Sequence, residues 1–396
     1  MLDPQGRAFR VLLGAQSMVS SLAVDMSLPA LPALGQDFGA PADRVQLTIG
    51  AYLIGYAAGQ LFYGPLSDRF GRRPMLLLGM AIYTLSAVLC PLAPTIEAVV
   101  ALRLLQGFGG CVGVVVTRAA ARDYFSGTNL AQMLSSLSAI QAFGPLVAPV
   151  LGGALASHLG WRSIFLAQGG FAALVLLAVW TGFAESLPRR DPHAIRPRQL
   201  LANYATFFAN PRCIGFTLVA TCVFSGLFAV LSASPFVLID LYGLSSQAYG
   251  FFFSTSVLGF MAGSFWNRRL LRAGVRGDAL LQRGLAVLLA AAAAMLVCAA
   301  MRWGGTAGIM IPYVIYCVAI SLVQSNAVAA AMEPVPHMAG TGASLMGAIQ
   351  MSTGAATGFA VDFFFDRSGT PMGIGVALAA LGAVASYRFV ARRQPG

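Results

Sequence analysis

The chain has 396 residues, of which 58% are hydrophobic and only 10% charged, so most of it cannot form the half-polar surface of a soluble domain. Its formal charge of +11 comes from 25 basic residues, all arginine, and would suit nucleic acid if it were clustered on a soluble face. The arginines are instead distributed between long apolar stretches. This pattern predicts a polytopic protein of the lipid bilayer and no nucleic-acid partner.

Twelve apolar windows are long enough to cross the hydrocarbon core, which takes about 20 residues per helix. We place them at 9–31, 45–67, 74–93, 97–117, 131–156, 161–183, 213–238, 248–266, 281–301, 307–331, 341–361 and 371–391. The sequence therefore predicts an all-α membrane protein of twelve transmembrane helices. Its domains are an N-terminal six-helix half at 1–183, a linker at 184–212 and a C-terminal six-helix half at 213–396.

The positions of the arginines predict the orientation of the chain. With the N-terminus in the cytoplasm, only Arg44, Arg162, Arg302 and Arg367 fall in outer segments, while Arg103 lies within a span. The remaining arginines then lie on the inner side, which is the positive-inside bias of membrane proteins. We therefore expect both termini and the linker to be cytoplasmic.

Asp25 is the one carboxylate well inside a predicted span, where a charge costs at least about 2.5–3.5 kcal/mol. Arg103 in the fourth span is the expected partner, because both residues lie roughly 9 Å below the outer ends of their helices. Protonation of Asp25 would release the arginine and deprotonation would recapture it, which is the chemistry of proton coupling. The alternatives are a structural ion pair that fixes helix register and a hydrated carboxylate near the outer edge.

A short polar segment joins the second and third spans. It reads Gly64-Pro65-Leu66-Ser67-Asp68-Arg69-Phe70-Gly71-Arg72-Arg73. We expect a hairpin in which Gly64 allows close helix contact, Gly71 allows a tight turn and the arginines hold the loop at the inner surface. Asp68 is expected to accept backbone N–H groups at the start of the third span.

Two of these segments resemble signatures of the major facilitator superfamily of transporters. The hairpin fits G-x-L-x-D-R-x-G-R-R, the loop between the second and third helices of that superfamily. The stretch from Leu102 to Gly110 resembles its fourth-helix motif, R-x-x-Q-G-x-G, whose arginine is associated with proton transfer. The resemblance implies two six-helix halves, each containing an inverted repeat, and alternating access.

A second basic cluster, Arg118 and Arg122 followed by Asp123, comes after the fourth span. The two arginines are four positions apart and lie on one helical face. In the superfamily such an arginine pairs with the aspartate of the gate loop, so the resemblance places Arg122 opposite Asp68, with Arg118 as the second candidate. The alternative is a set of charges that only fixes topology.

The fifth span carries small residues and prolines, at Gly144, Pro145, Ala148, Pro149, Gly152 and Gly153. Alone, this pattern is typical of close helix packing with a proline bend. It also resembles the G-x-x-x-G-P-x-x-G-G motif of drug antiporters, with Ala148 where glycine is usual. That resemblance favours export over an uptake symporter of the same fold.

Later stretches resemble one branch of the superfamily, the Bcr/CflA exporters named for bicyclomycin and chloramphenicol resistance. They are Ser232–Leu238, Gln324–Ala327 and Ala339–Gly347, and Asp25 with Pro29 completes a D-x-x-x-P pattern in the first helix. The branch implies a multi-pass, monomeric antiporter of the bacterial inner membrane. It would exchange a small-molecule substrate for protons, using the proton gradient and no cofactor.

Substrate contacts are expected in a cavity between the two halves, with apolar walls and a few polar anchors. The candidates are Tyr52, Gln141, Phe228, Ser232, Phe236, Tyr313, Tyr316, Asn326 and Gln350. For each of them, packing against lipid or a neighbouring helix is the alternative. A membrane-embedded enzyme is disfavoured because no catalytic or metal-binding motif is present, and a channel because no selectivity element is present.

Overall fold

The computed structural model describes residues 3, 6–190, 204–335, 339–366 and 368–391. Every regular element in this part of the chain is a helix. The α-helices are α1 (Arg7–Asp25), α2 (Leu31–Phe38), α3 (Ala42–Phe70), α4 (Arg72–Leu89), α5 (Ile96–Tyr124), α6 (Gly127–Leu159), α7 (Trp161–Gly182), α8 (204–209), α9 (Pro211–Pro235), α10 (Ser246–Arg272), α11 (Gly277–Met301), α12 (Gly305–Met332), α13 (Ala339–Phe363) and α14 (Thr370–Ala391). Short 3-10 helices lie at Leu28–Ala30 and Cys90–Leu92, and a π-helix at Phe236–Leu241 continues α9.

Nine of the described helices are long and apolar enough to cross a membrane, with α1 and α2 counted together. Three further long helices fall outside this count: α3, α6 and α13, of 29, 33 and 25 residues. The all-helical, membrane-spanning fold is as predicted, while the number of twelve crossings stays a prediction.

Contacts along the chain divide it into two compact units, Met1–Pro197 (unit 1) and Arg198–Gly396 (unit 2). The boundary falls in the predicted linker, of which 191–203 lie outside the described residues. Arg367, predicted in an outer segment, also lies outside them. The domain boundaries at 184 and 212 therefore stay predictions.

In both units, glycine lets the backbones of the second and fourth long helices approach closely. In unit 1 a Cβ at Gly107 of α5 would lie 2.0 Å from the carbonyl oxygen of Tyr52 on α3. In unit 2 a Cβ at Gly263 of α10 would lie 2.3 Å from the carbonyl oxygen of Val318 on α12. Any larger residue would push the helices apart, so these glycines fix the close packing on which the polar clusters below depend.

The first apolar stretch is divided near its end. α1 stops at Asp25, a 3-10 turn follows, and α2 starts at Leu31. Pro29 explains the break: in a continuous helix its ring would clash with the carbonyl four residues earlier, which is that of Asp25, and it has no N–H to donate. Asp25 therefore lies at a helix end inside the Arg7–Phe38 span.

Candidate functional site

A cluster of polar side chains joins the ends of α3, α4 and α5, and we call it the Arg72 cluster (Ser67, Asp68, Arg72, Asp123 and Ser186). Arg72 Nη1 lies 2.6 Å from Asp68 Oδ1, and Nε donates to Asp123 Oδ2 at 3.0 Å. Ser67 Oγ accepts from Arg72 at 2.6 Å, and Ser186 Oγ donates to Asp123 at 3.0 Å. The Arg72 side chain is 8% exposed. One buried cation thus holds carboxylates from two helices.

Glu185, in the segment after α7, closes the turn between α3 and α4. Its Oε1 accepts from the backbone N–H of Arg72 at 2.8 Å and its Oε2 from that of Arg73 at 3.2 Å. These N–H groups begin α4 and have no partner within the helix. Gly71, the residue before α4, has a φ of 107°, and a Cβ there would be 2.4 Å from Glu185 Oε2. The carboxylate therefore caps α4, and its negative charge interacts favourably with the positive end of the helix dipole.

The hairpin predicted from the sequence is mostly helical. α3 ends one residue before Gly71 and α4 begins one residue after it, so the turn is a single residue. The tight turn expected at Gly71 is present. The close contact expected at Gly64 is not found among the described residues, none of which would lie within 4 Å of a Cβ there. The capping role expected of Asp68 is also wrong: Glu185 performs it, since Asp68 faces the first side chain of α4.

The partner predicted for Asp68 is not the observed one. Arg118 and Arg122 are both exposed, and within the described ranges neither forms an ion pair with Asp68. Asp123 follows Arg122 and faces inward instead, because successive helical residues are about 100° apart. The pairing therefore runs through Arg72, which the sequence interpretation had placed at the surface.

The two remaining arginines of the segment lie outside the Arg72 cluster. Arg69 is exposed, and its guanidinium carbon lies 5.2 Å from the centre of the Phe70 ring. Arg73 donates from Nη2 to the backbone carbonyl of Trp180 at 2.7 Å, which ties the start of α4 to the end of α7. Only these two fit the prediction of arginines that hold the segment at a surface.

Arg103 on α5 is 1% exposed and surrounded by neutral groups. Its Nη1 donates to Gln106 Oε1 at 2.7 Å, and its Nε lies 3.4 Å from the carbonyl oxygen of Thr48. Nη2 reaches Ser27 Oγ at 3.5 Å, in the break of the first helix. The Tyr52 ring lies 4.6 Å away in a cation–π arrangement. Amide, hydroxyl and aromatic groups thus replace water around this charge.

The predicted ion pair between Asp25 and Arg103 is absent. Among the described residues, no ion pair involves either of them. Asp25 is half-buried at the end of α1, whereas Arg103 contacts Ser27 two residues further along. The neutral partners occupy the guanidinium donors, so Arg103 does not need the carboxylate here. The role of the two residues in proton coupling stays a prediction.

Two glycines of the predicted antiporter motif, Gly144 and Gly152, pack on the end of α1 and on the break that follows it. A Cβ at Gly144 would lie 2.8 Å from Ser21 Cβ, and one at Gly152 would lie 2.0 Å from the Met26 carbonyl oxygen. The second contact is with backbone, which cannot move aside as a side chain can. α6 therefore follows the break in the first helix closely on each side of the carboxylate.

The other residues of the motif are part of the same helix. Pro145 and Pro149 lie inside α6 without ending it. Ala148 is completely buried, and Pro149 and Gly153 are buried as well. The alanine that replaces the usual glycine therefore keeps the small side chain that this packing requires.

The substrate candidates of unit 1 already have partners within the unit. Tyr52 is 2% exposed, donates its hydroxyl to the Ser20 carbonyl at 3.2 Å and covers Arg103. Gln141 is half-buried and accepts from Arg118 Nη2 at 2.9 Å. Their proposed contact with substrate stays a prediction.

The aromatic candidates of unit 2 are buried in helix packing. Phe228, Phe236, Tyr313 and Tyr316 are each at most 5% exposed. The Tyr316 hydroxyl donates to the Val223 carbonyl at 3.2 Å, and the Phe228 ring fills the space beside Gly354, where a Cβ would lie 2.3 Å from it. A ligand would have to displace these contacts, so their place in a cavity stays a prediction.

The polar candidates of unit 2 bond to side chains of neighbouring helices. Ser232 donates to Asp362 at 2.8 Å, Asn326 to Asn267 at 2.8 Å, and Gln350 accepts from Gln324 at 3.0 Å. Asp362 is 4% exposed and lies one residue beyond the predicted window 341–361, because α13 continues to Phe363. Sequence reasoning therefore missed a buried carboxylate.

Known proteins resemble this chain over nearly its whole length. It matches the Major Facilitator Superfamily over residues 13–359. The uncharacterized MFS-type transporter YdgK of Bacillus subtilis is 33% identical, over 99% of this chain and 98% of its own. The bicyclomycin resistance protein homolog of Haemophilus influenzae is 29% identical, over 97% and 96%. A chloramphenicol resistance protein of Pseudomonas aeruginosa is 29% identical, over 84% and 78%.

Solved structures show the same fold at lower sequence identity. A D-xylose-proton symporter superposes with a TM-score of 0.76 at 15% identity, over 96% of this chain and 97% of its own. A bacterial homolog of the human lysosomal transporter spinster gives a TM-score of 0.72 at 17% identity, over 98% and 96%.

The helical fold, the family match and the transporters among the relatives show a membrane transporter and not an enzyme. The chain belongs to the Major Facilitator Superfamily. The resistance proteins among its relatives confirm the resemblance to the Bcr/CflA branch.

Proposed function

We propose that this chain exports small organic molecules of the bicyclomycin or phenicol type, or related metabolites, in exchange for protons. The observation that carries the proposal is the end-to-end similarity to a bicyclomycin resistance protein homolog, at 29% identity over 97% of the chain. The chloramphenicol resistance protein supports the same substrate class. Proton coupling is supported by two ionisable side chains within unit 1, Asp25 and Arg103.

Asp25 and Arg103 are the proposed coupling pair. Asp25 lies half-buried at a helix break and has no ion-pair partner in the part of the chain that the structure describes, which suits a neutral, protonated carboxyl group. When Asp25 loses its proton, its charge attracts the guanidinium, which must then leave Ser27 and the Tyr52 ring. Because α6 contacts the break on both sides of Asp25, that exchange moves α1 against α6.

The Arg72 cluster is the proposed gate lock. It lies at the end of α5, the helix whose first half carries Arg103. Arg72 ties α3 and α5 together through Asp68 and Asp123, and Glu185 adds the segment after α7. Opening this end requires separation of at least one of these charge contacts. The lock therefore sets a barrier to conformational cycling and makes no contact with substrate.

We propose that the chain lies in the bacterial inner membrane as a monomer with both termini in the cytoplasm. The nine apolar spans and three further long helices support twelve crossings in total. No cofactor is required, because the proton gradient supplies the energy.

The test is transport by purified protein in proteoliposomes with an imposed proton gradient. Chloramphenicol and bicyclomycin are the probes, and a pH-sensitive dye records proton movement. We expect uphill movement of at least one probe with opposite proton flow, and loss of both in Asp25→Asn. Asp43→Asn is the matched control, because Asp43 is also half-buried in unit 1 but begins α3.

Two results would contradict the proposal. Uphill export retained by Asp25→Asn would remove Asp25 from the coupling mechanism. Probe and protons moving in the same direction through the wild type would identify an uptake symporter in place of an exporter.

A further inference from the structure

A chain of hydrogen bonds in unit 1 connects Arg103 to the first helix by way of α7. Arg103 Nη1 donates to Gln106 Oε1 at 2.7 Å, and Gln106 Nε2 donates to Gln168 Oε1 at 3.0 Å. Gln168 Nε2 then donates to the carbonyl oxygen of Ala23 at 3.3 Å. The three side chains are each at most 2% exposed. Arg103 therefore has a neighbour on α7 that the sequence did not indicate.

The arginine fixes the orientation of both amides. A guanidinium group can only donate hydrogen bonds, so the side-chain oxygen of Gln106 must face Arg103. The nitrogen of Gln106 then faces Gln168, whose oxygen accepts, and the nitrogen of Gln168 is left to donate to Ala23. Gln106 also bonds to the Tyr83 hydroxyl, and its amide nitrogen has one hydrogen for each partner. Turning either amide around would break this chain.

A second branch leads from Arg103 through Ser27 to the same turn of α1. Arg103 Nη2 lies 3.5 Å from Ser27 Oγ, and the Ser27 hydroxyl reaches the carbonyl oxygens of Ala23 at 3.1 Å and Val24 at 2.8 Å. In a continuous helix the backbone N–H of Ser27 would donate to Ala23, but at this break it donates to Val24. Side chains bond the Ala23 carbonyl instead. The two branches thus close a ring between the guanidinium and the turn that ends at Asp25.

The neighbours of Gln168 on α7 hold it at this position. Phe165 lies three residues earlier on the same helical face, and the centre of its ring is 5.7 Å from the Arg103 guanidinium carbon. Gly169 packs on α4, since a Cβ there would lie 2.8 Å from Val88 Cγ2. Within one turn, α7 therefore presents an aromatic ring and an amide to the arginine.

The other titratable groups near this ring are neutral or exposed. α5, α6 and α7 pack against α1, and at this end they carry the charged or titratable residues Glu97, His158 and Arg162, which are all exposed. Close to the guanidinium lie Tyr52, Tyr83 and Cys90, weak acids that are neutral near pH 7. Neutral hydrogen-bond partners therefore hold the arginine in place.

We infer that Gln168 is a positioning residue for the coupling arginine and links the position of Arg103 to the last turn of α1. When Arg103 turns to a deprotonated Asp25, Gln106 loses its donor and the ring opens. When Asp25 takes up a proton, the ring closes on the guanidinium again. One proton moves to or from Asp25, and no other covalent bond changes. The inference deepens the proposed proton exchange and rests on it only for the role of Gln168 in transport.

The first test observes the guanidinium directly, by nuclear magnetic resonance of protein labelled with nitrogen-15 arginine in lipid nanodiscs. The Arg103 signal is the one that is lost in Arg103→Lys. Gln168→Met keeps the length of the side chain but removes its amide, so it should shift the Arg103 signal and speed the rotation of the guanidinium. Gln16→Met is the matched control and should leave that signal unchanged, because Gln16 is also completely buried in unit 1 but bonds to Thr117.

Gln168→Asn provides a second variant that keeps a polar amide in the core. Its shorter side chain cannot reach both Gln106 and Ala23, so the Arg103 signal should shift in this variant as well. An unchanged Arg103 signal in either folded variant of Gln168 overturns the inference, as does an equal shift in Gln16→Met.

Transport distinguishes this result from the fate of the proposed function. With chloramphenicol as probe, Gln168→Met should need about a five-fold higher proton concentration for half-maximal export than Gln16→Met, because the closed ring is weaker by one ordinary hydrogen bond. Equal proton concentrations would overturn the role of Gln168 in transport. If the wild type moves neither chloramphenicol nor bicyclomycin, the proposed export fails, and the resonance of Arg103 alone still decides whether Gln168 positions it.

Discussion

Unit 1 and unit 2 cross their second and fourth long helices with the same close packing, but they join the ends of those helices differently. Gly107 in unit 1 and Gly263 in unit 2 each lie against a backbone carbonyl of the facing helix. Beyond the crossing, the charged side chains of the Arg72 cluster join the two helices in unit 1. In unit 2 a neutral amide pair joins them, in which Asn326 donates to Asn267 at 2.8 Å.

The difference shows that close packing does not require the charges. Asn267 lies four residues after Gly263, as Asp68 lies four residues after Gly64, so unit 2 has an amide where unit 1 has a carboxylate. A buried ion pair is a poor source of stability, because desolvation offsets its attraction, but loss of one partner is expensive. Among the described residues, unit 2 has only the exposed Arg212–Glu333 ion pair near this end of α12, so the buried charges of unit 1 suit the proposed gate lock better than a role in stability.

The largest expected effect comes from removing the cation at the centre of the Arg72 cluster. Arg72→Leu leaves the carboxylates of Asp68 and Asp123 close together without their shared cation. We expect the free energy of unfolding to fall by about 3 kcal/mol, as measured by thermal or denaturant unfolding in detergent. Arg69→Leu is the matched control, because Arg69 is exposed and should change stability by less than about 0.5 kcal/mol. Equal stability of the two variants would refute the role of the Arg72 cluster.

An intermediate effect is expected from breaking the amide pair of unit 2. Asn267→Ala removes the acceptor of Asn326 Nδ2 and should cost about 1 kcal/mol in the same unfolding measurement, the value of an ordinary hydrogen bond. Gln247→Ala, at an exposed position in the first turn of the same helix, should have almost no effect. A loss as large as that of Arg72→Leu would mean that the two units do not differ in the way described.

The smallest effect comes from removing only the negative charge of the cap of α4. Glu185→Gln keeps an amide oxygen over the backbone N–H groups of Arg72 and Arg73 but removes the negative charge, and should cost about 0.5 kcal/mol. Glu185→Ala removes the acceptor as well and should cost about 1 kcal/mol. Unfolding measurements that reverse this order would show that the carboxylate does not act as a cap.

The sequence was informative where a single physical constraint dominates. Apolar length indicated the membrane helices, whereas the break that Pro29 causes in the first of them was not predicted. The sequence was less informative about which charged residues form ion pairs, because it contains several nearby arginines for each carboxylate. Which of Arg72 and Arg122 turns inward depends on helix phase at the end of a span, where hydrophobic periodicity is weak.

Two acidic residues were missed for related reasons. Glu185 is exposed and lies more than 100 positions from the helix start that it caps, so only the folded chain shows the contact. Asp362 lies just past an apolar window, and a window drawn by hydropathy ends at its first charge even where the helix continues. Segment ends are therefore where structure adds most.

The π-helix at Phe236–Leu241 has a geometric consequence for the end of α9. Its turns take more residues than those of an α-helix. Each residue wound in or out of an α-helix rotates everything beyond it by about 100° and moves it about 1.5 Å along the axis. A change of winding there would redirect Asp240 and Tyr242 while Ser232 kept its bond to Asp362. The π-helix thus separates the orientation of the loop after α9 from the helix pair that holds the buried carboxyl group.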